Sequence, residues 1–232
     1  MAACARLAAA ADTEIVPLTA LRGVPFIASR ADAQIAGAVV LEMLAAHHGY
    51  YEAAIIAAFA DPGFLAAREL FDVPIVGLAE AAMLSACMLG QRFSIVTFAP
   101  KTGPWLKECI DMHGLSGRCA SIRTLDEAFA SIASVQEEKE AKLVALANRA
   151  VVEDGADVVI LAGAPLSGLA ARVRHLVPVP LVEQTTAAVK QAEALIALSP
   201  LKAKRGTFCR PSAKSSLNLP APLAARIAHE DA

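Results

Sequence analysis

Three carboxylates stand just beyond apolar runs of the kind that form strands: Asp61 after 53–58, Glu80 after 73–77 and Glu183 after 179–182. A carboxylate in that position can exchange a proton with a bound small molecule, or it can cap the helix that follows. Asp61 followed by Pro62 reads first as a cap, with proline at the first helical position. Glu80 and Glu183 each open a helix, where their charge suits the dipole and where each can also face a substrate. Thr97 ends the run Phe-Ser-Ile-Val-Thr and could donate a hydrogen bond but not act as a base. The loop Gly163-Ala164-Pro165-Leu166-Ser167-Gly168 is small and rich in backbone, so its N–H groups could hold a carboxylate or an enolate-like oxygen.

Other reactive side chains fall outside these loops. Cys4, Cys87, Cys109, Cys119 and Cys209 form no CxxC pair and read as reduced thiols, most of them small hydrophobes. His47 and His48 flank a helix end, while His113, His175 and His229 are scattered. No spacing among histidines and carboxylates suggests a metal site. Trp105 and the Tyr50-Tyr51 pair read as packing. Neither a Walker loop nor GxGxxG is present, so no nucleotide cofactor is expected.

The elements that must position these residues come as a repeat. A strand-loop-helix-strand-helix unit near 53–89 returns near 157–195, with Ala66-Ala67-Arg68 answered by Ala170-Ala171-Arg172 and Val73-Pro74 by Val179-Pro180. The offset is 104 at the triplets and 106 at the Val-Pro pairs, so two residues are inserted between them. The pattern predicts helices over 1–11, 32–48, 63–71, 79–89, 103–113, 135–153 and 221–228, with strands over 14–19, 53–58, 73–77, 92–98 and 118–123. Alternation of buried strands and helices means an α/β fold: two pseudo-symmetric lobes, each a short, mostly parallel sheet flanked by helices, with an active-site cleft between them. The expected division is 1–91 plus 184–232 for the first lobe and 92–183 for the second. Ligands of open parallel sheets bind beyond the carboxyl ends of the strands, which directs attention to 59–63, 77–80, 97–102, 163–168 and 183–186.

The 232 residues carry a net charge of −2 and are 56% hydrophobic but only 5% aromatic. Nothing there asks for nucleic acid or an anionic membrane. The longest nearly uncharged stretch, 73–90, is broken by Pro74, Gly77 and Glu80 and does not read as a membrane span. Arg6 and Asp12 argue against a signal peptide, so a cytoplasmic protein is expected. The basic residues after Pro200 (Lys202, Lys204, Arg205, Arg210, Lys214) read as a tail wrapped over the surface.

The segments 58–69 (AFADPGFLAARE), 74–83 (PIVGLAEAAM), 92–97 (RFSIVT) and 162–170 (AGAPLSGLA), with the tail from Lys204 to Ala225, resemble the aspartate/glutamate/hydantoin racemase superfamily, closest to its hydantoin racemase branch. The resemblance implies two pseudo-symmetric α/β lobes, no cofactor, a habit of homo-oligomer assembly and proton transfer at a carbon next to a carbonyl. It implies an isomerase of amino-acid metabolism acting on a hydantoin-like or amino-acid-derived substrate. In the family one cysteine follows each repeated strand, and the matching positions here are Ala58 and Gly163, neither of which can exchange a proton. The resemblance places Ala58, Gly163 and Thr97 beside the substrate; Phe59, Ala164, Pro165 and Glu183 are expected there from their places after strands, and Asp61 and Glu80, just past strand ends in the first lobe, are the candidate acid/base residues. Family members open with a strand and a loop like Asn-Pro-Asn-Thr, so the first strand is expected to be missing, as from a truncated gene product. Two further readings stay open: a catalytically silent relative that binds a small carboxylate or ureido ligand, and a decarboxylase or lyase with one proton donor.

Overall fold

The computed structural model describes every residue except 101, 126, 129, 130, 133 and 232. Lys101, within the 97–102 loop, therefore lies outside the described residues. The chain divides into two compact units, one made of 1–16, 57–61 and 77–190, the other of 17–56, 62–76 and 191–232. It passes from one to the other at five points.

The larger unit is built on a four-stranded sheet ordered β4-β3-β5-β6, from β3 (Phe93–Thr97), β4 (Cys119–Thr124), β5 (Val158–Ala162) and β6 (Leu181–Val182). All its pairings are parallel. Residues of β3 and β5 are buried throughout, as continuous apolar runs in a sheet covered on both faces should be. Helix α6 (Val135–Asp154) covers the sheet with Val135, Leu143, Ala147 and Ala150 fully buried against Val96, Val159 and Leu161. Each such Val or Leu contributes about 1.5–3 kcal/mol. Helix α4 (Leu78–Leu89) packs against β3, β5 and β6, burying Leu78, Ala79, Ala82, Met83 and Ala86. Helix α5 (Gly103–Met112) lies against β4, starts with proline in its first turn and buries Leu106, Cys109 and Ile110. Because Thr97 pairs with Ala162 and Ile160 with Val182, the carboxyl ends of β3, β5 and β6 share one edge, and the loops leaving them are neighbours.

The smaller unit pairs β1 (Ala54–Ile56) with β2 (Ile75–Gly77) through the crossover helix α3 (Phe64–Leu70). Helix α2 (Arg30–Ala46) begins at a reciprocal cap: Asp32 N–H donates to Ser29 Oγ at 3.2 Å, and Ala28 N–H to Asp32 Oδ2 at 3.0 Å. Its core joins Ala45, Ile56, Phe64, Leu70, Phe71 and Ile75 with Leu223 of α9 (Ala221–Ala228). Two basic residues of the tail tie it down, Lys202 to the carbonyls of Arg68, Glu69 and Phe71, and Arg226 to the carbonyl of Leu70 and the carboxylate of Asp72.

The repeat holds element for element: β1-α3-β2-α4 is answered by β5, α7 (Leu169–Val173), β6 and α8 (Gln184–Leu198). A 3-10 turn, Arg174–Leu176, stands where the two extra residues fall. Helix α1 (Ala2–Ala8) forms, but 14–19 makes no strand. Pro17 removes an N–H there and Val16 is 65% exposed, so the segment has neither ladder nor cover. Strand β1 is also less buried than expected, with Ala54 and Ile55 half-exposed.

Candidate active site

Between β1 and α3 the chain makes a turn in which two consecutive non-glycine residues, Ala60 (φ +84°) and Asp61 (φ +53°), take left-handed backbone. Such conformations cost free energy and persist where surrounding contacts over-determine them. Here the contacts belong to Asp61. Its N–H donates to Ala58 O at 3.0 Å, Oδ1 accepts from Ala79 N–H at 2.8 Å and Oδ2 from Glu80 N–H at 2.8 Å. Asp61 is thus a cap, but of α4 and not of the helix that follows it, which starts later, behind Gly63. The distant capping needs Gly77: a Cβ there would fall on the Asp61 carboxylate.

Buried beside that carboxylate is His113, at the C-terminal end of α5. Its Nε2 lies 3.2 Å from Asp61 Oδ2 and its Nδ1 3.6 Å from Glu80 Oε1. Cys109, one helical turn earlier, completes the group. Burial works against charge on His113, yet Asp61, Cys109 and Glu80 outweigh it and raise its pKa from the ordinary 6.5 to about 11. Burial also pushes the Cys109 thiol up, with His113 pulling the other way. The structure thus unites Asp61 and Glu80 with two residues that the sequence left apart. The one available signal was the i, i+4 spacing of Cys109 and His113 on a helix.

Around the second copy the backbone is held as closely. Gly163 N–H donates to Gln184 Oε1 at 3.1 Å, and the Gln184 amide returns a hydrogen bond to Gly163 O. Gly163 has φ +115°, and a Cβ on it would stand 2.9 Å from Phe98 Cε1. The N–H groups of Leu166, Ser167 and Gly168 are taken by Gly163 O, Ala164 O and Glu183 Oε1. Pro165 O accepts from Gln136 Nε2 at 2.6 Å. Thr97 Oγ1 donates to Ala162 O at 2.9 Å, which commits its proton to the sheet.

Glu183 caps α8 as Asp61 caps α4. Its oxygens accept from Thr186 N–H at 2.6 Å, Gly168 N–H at 3.2 Å and the Cys4 thiol at 3.1 Å. Burial opposes its charge, but these donors prevail and hold its carboxyl below the usual range. Partial burial and the neighbouring Glu183 carboxylate push the Cys4 thiol up to about 11. Of the two loop residues after β1, Phe59 is buried and Ala58 half-buried.

A family model described as Asp/Glu/Hydantoin racemase matches residues 1–192. The chain belongs to the Asp/Glu/hydantoin racemase family. A hydantoin racemase of Pseudomonas sp. (strain NS671) is 32% identical over 214 residues, covering 90% of this chain and 85% of that protein. The solved allantoin racemase from Klebsiella pneumoniae superposes with a TM-score of 0.87 at 34% identity, over 97% of this chain and 91% of that one. A glutamate racemase isoform from Bacillus anthracis shares the fold at TM-score 0.53 and 13% identity, over 78% and 68%. Family membership and the α/β architecture of parallel sheets flanked by helices are thereby established. Among the described residues no helix is long and apolar enough to cross a membrane.

Proposed function

We propose that this family member acts on a hydantoin-like or amino-acid-derived small molecule by moving a proton at the carbon next to a carbonyl, with Glu80 as the exchanging group. The observation that carries the reading is how the three candidate carboxylates are used. Asp61 and Glu183 act as helix caps through backbone N–H groups, and the Asp61 side chain is fully covered, whereas the Glu80 carboxylate faces His113 and keeps 17% of its side chain exposed. Glu80 would take the α-proton, and the negative charge would pass to the carbonyl oxygen, for which the Ala164 N–H is a suitable donor. His113 is a positioning residue that fixes the Glu80 carboxylate. With Ala58 and Gly163 at the places where the resemblance puts two thiols, one exchanging group works from one face.

The same reading makes the protein a member of an isomerase family, working in small-molecule metabolism in the cytoplasm, whose own chemistry is proton exchange with retention at the α-carbon. Exposed Leu84, Met88 and Leu89 on α4 supply an apolar surface for a homo-oligomer. The test is incubation in deuterium oxide with a panel of hydantoins and amino acids, followed by proton NMR and polarimetry. Deuterium should enter the α-position of one enantiomer without matching loss of optical rotation, and Glu80→Gln should abolish this. Absence of exchange across the panel overturns the reading. The alternative, a silent relative that binds a carboxylate or ureido ligand, is favoured by the committed cap at Asp61 and the backbone of Gly163; saturation-transfer NMR would then show binding without exchange.

A further inference from the structure

The cluster behind Glu80 is more than an ion pair. A carboxylate oxygen of Asp61, Cys109 Sγ and a ring nitrogen of His113 all lie within 4.8 Å of one another. They come from three places: the turn after β1 and two successive turns of α5. The Asp61 carboxylate is fixed by two N–H bonds, yet each oxygen keeps lone-pair capacity. Cys109 and His113 project from one helix face. On the far side of the imidazole, Glu80 Oε1 faces Nδ1 at 3.6 Å.

We propose that Asp61, Cys109 and His113 form a binding site for a zinc-class divalent cation, with Glu80 orienting the histidine. One oxygen, one sulfur and one imidazole nitrogen suit a borderline ion and exclude magnesium and calcium, which demand oxygen ligands. Bonds of about 2.0–2.3 Å to a tetrahedral ion place ligands roughly 3.3–3.8 Å apart, so closing the group needs shifts of about 1 Å. A carboxylate behind a ligating histidine is the arrangement that fixes ring orientation and raises ligand basicity. Two carboxylates beside one buried space also call for positive charge, and the ion takes over the part that the imidazolium otherwise plays. Three protein ligands leave a fourth position for water. Bound there, the ion clamps the 57–61 turn and the start of α4 to α5. The site is independent of any proton transfer by Glu80.

The full-length, metal-stripped protein is titrated with cobalt(II) chloride, then with zinc chloride. One equivalent of cobalt should give tetrahedral d–d bands and a thiolate-to-cobalt charge-transfer band, both bleached by zinc, and zinc should raise Tm. Cys109→Ser should remove the charge-transfer band, while Cys209→Ser leaves it intact. Glu80→Gln retains all three ligands and should weaken cobalt binding about 10- to 100-fold. The proposal is overturned if no charge-transfer band forms at one equivalent, if the band survives Cys109→Ser, or if Glu80→Gln leaves the affinity unchanged. Failure of deuterium exchange by the same protein does not bear on it.

Discussion

With φ at +115°, Gly163 holds a conformation that costs an L-residue about 1–3 kcal/mol, and Phe98 occupies the place of its Cβ. Position 58 carries no such restriction: Ala58 is half-buried and has no positive φ. Restoring the two thiols should therefore fail at one position only. Ala58→Cys is expected to leave the urea midpoint nearly unchanged, while Gly163→Cys lowers stability by about 2 kcal/mol and yields no racemase activity even in the double variant. The resemblance implies thiols at positions 58 and 163, and the alanine and glycine that stand there are read directly from the sequence. The sequence could not show that one site had also lost the backbone geometry for a side chain, since φ and the placement of Phe98 are tertiary facts. Nor could it connect Asp61 with His113, whose meeting depends on how α5 leaves β3. The carboxylates were legible as caps from their position after strands, but which helix Asp61 caps was not.

At the scale of elements, period and turn residues placed most helices and strands within two residues, and 221–228 as helix α9. The segment 14–19 misled because its alternation of apolar and polar residues is only half of what a strand needs. The other half is a partner ladder, which no local pattern reports. The tail was readable as surface wrapping, though not its anchor. Lys202 Nζ donates to Arg68 O at 2.7 Å, Glu69 O at 2.7 Å and Phe71 O at 3.0 Å, closing the carbonyl end of α3. A lysine set there satisfies orphan carbonyls and answers the helix dipole together. Lys202→Met keeps the aliphatic stem and removes the donors; it should cost about 1–3 kcal/mol in urea denaturation.

For the molecule as a whole, acid stability should depend on the C-terminal ion pairs. Asp231 is paired with Arg210 at 2.5 Å and Arg226 at 2.7 Å. Burial opposes its charge, but the two guanidiniums prevail and lower its pKa from 3.8 to about 2. A depressed folded-state value means that this stability is fully present above 3.8 and is lost as pH falls through about 2. Thermal melts across that window should show a fall in Tm that Asp231→Asn flattens, because the variant has already lost the charged form. The five crossings of the chain bear on how the repeat relates to the two units. In the first copy of the repeat, β1, α3 and β2 fall mainly in the smaller unit and α4 in the larger; in the second, β5, α7 and β6 lie in the larger unit and α8 ends in the smaller. The stretch that repeats is therefore not the stretch that is compact. Each copy places its last helix, wholly or in part, across a boundary, so a fragment carrying one copy takes pieces of both units and completes neither.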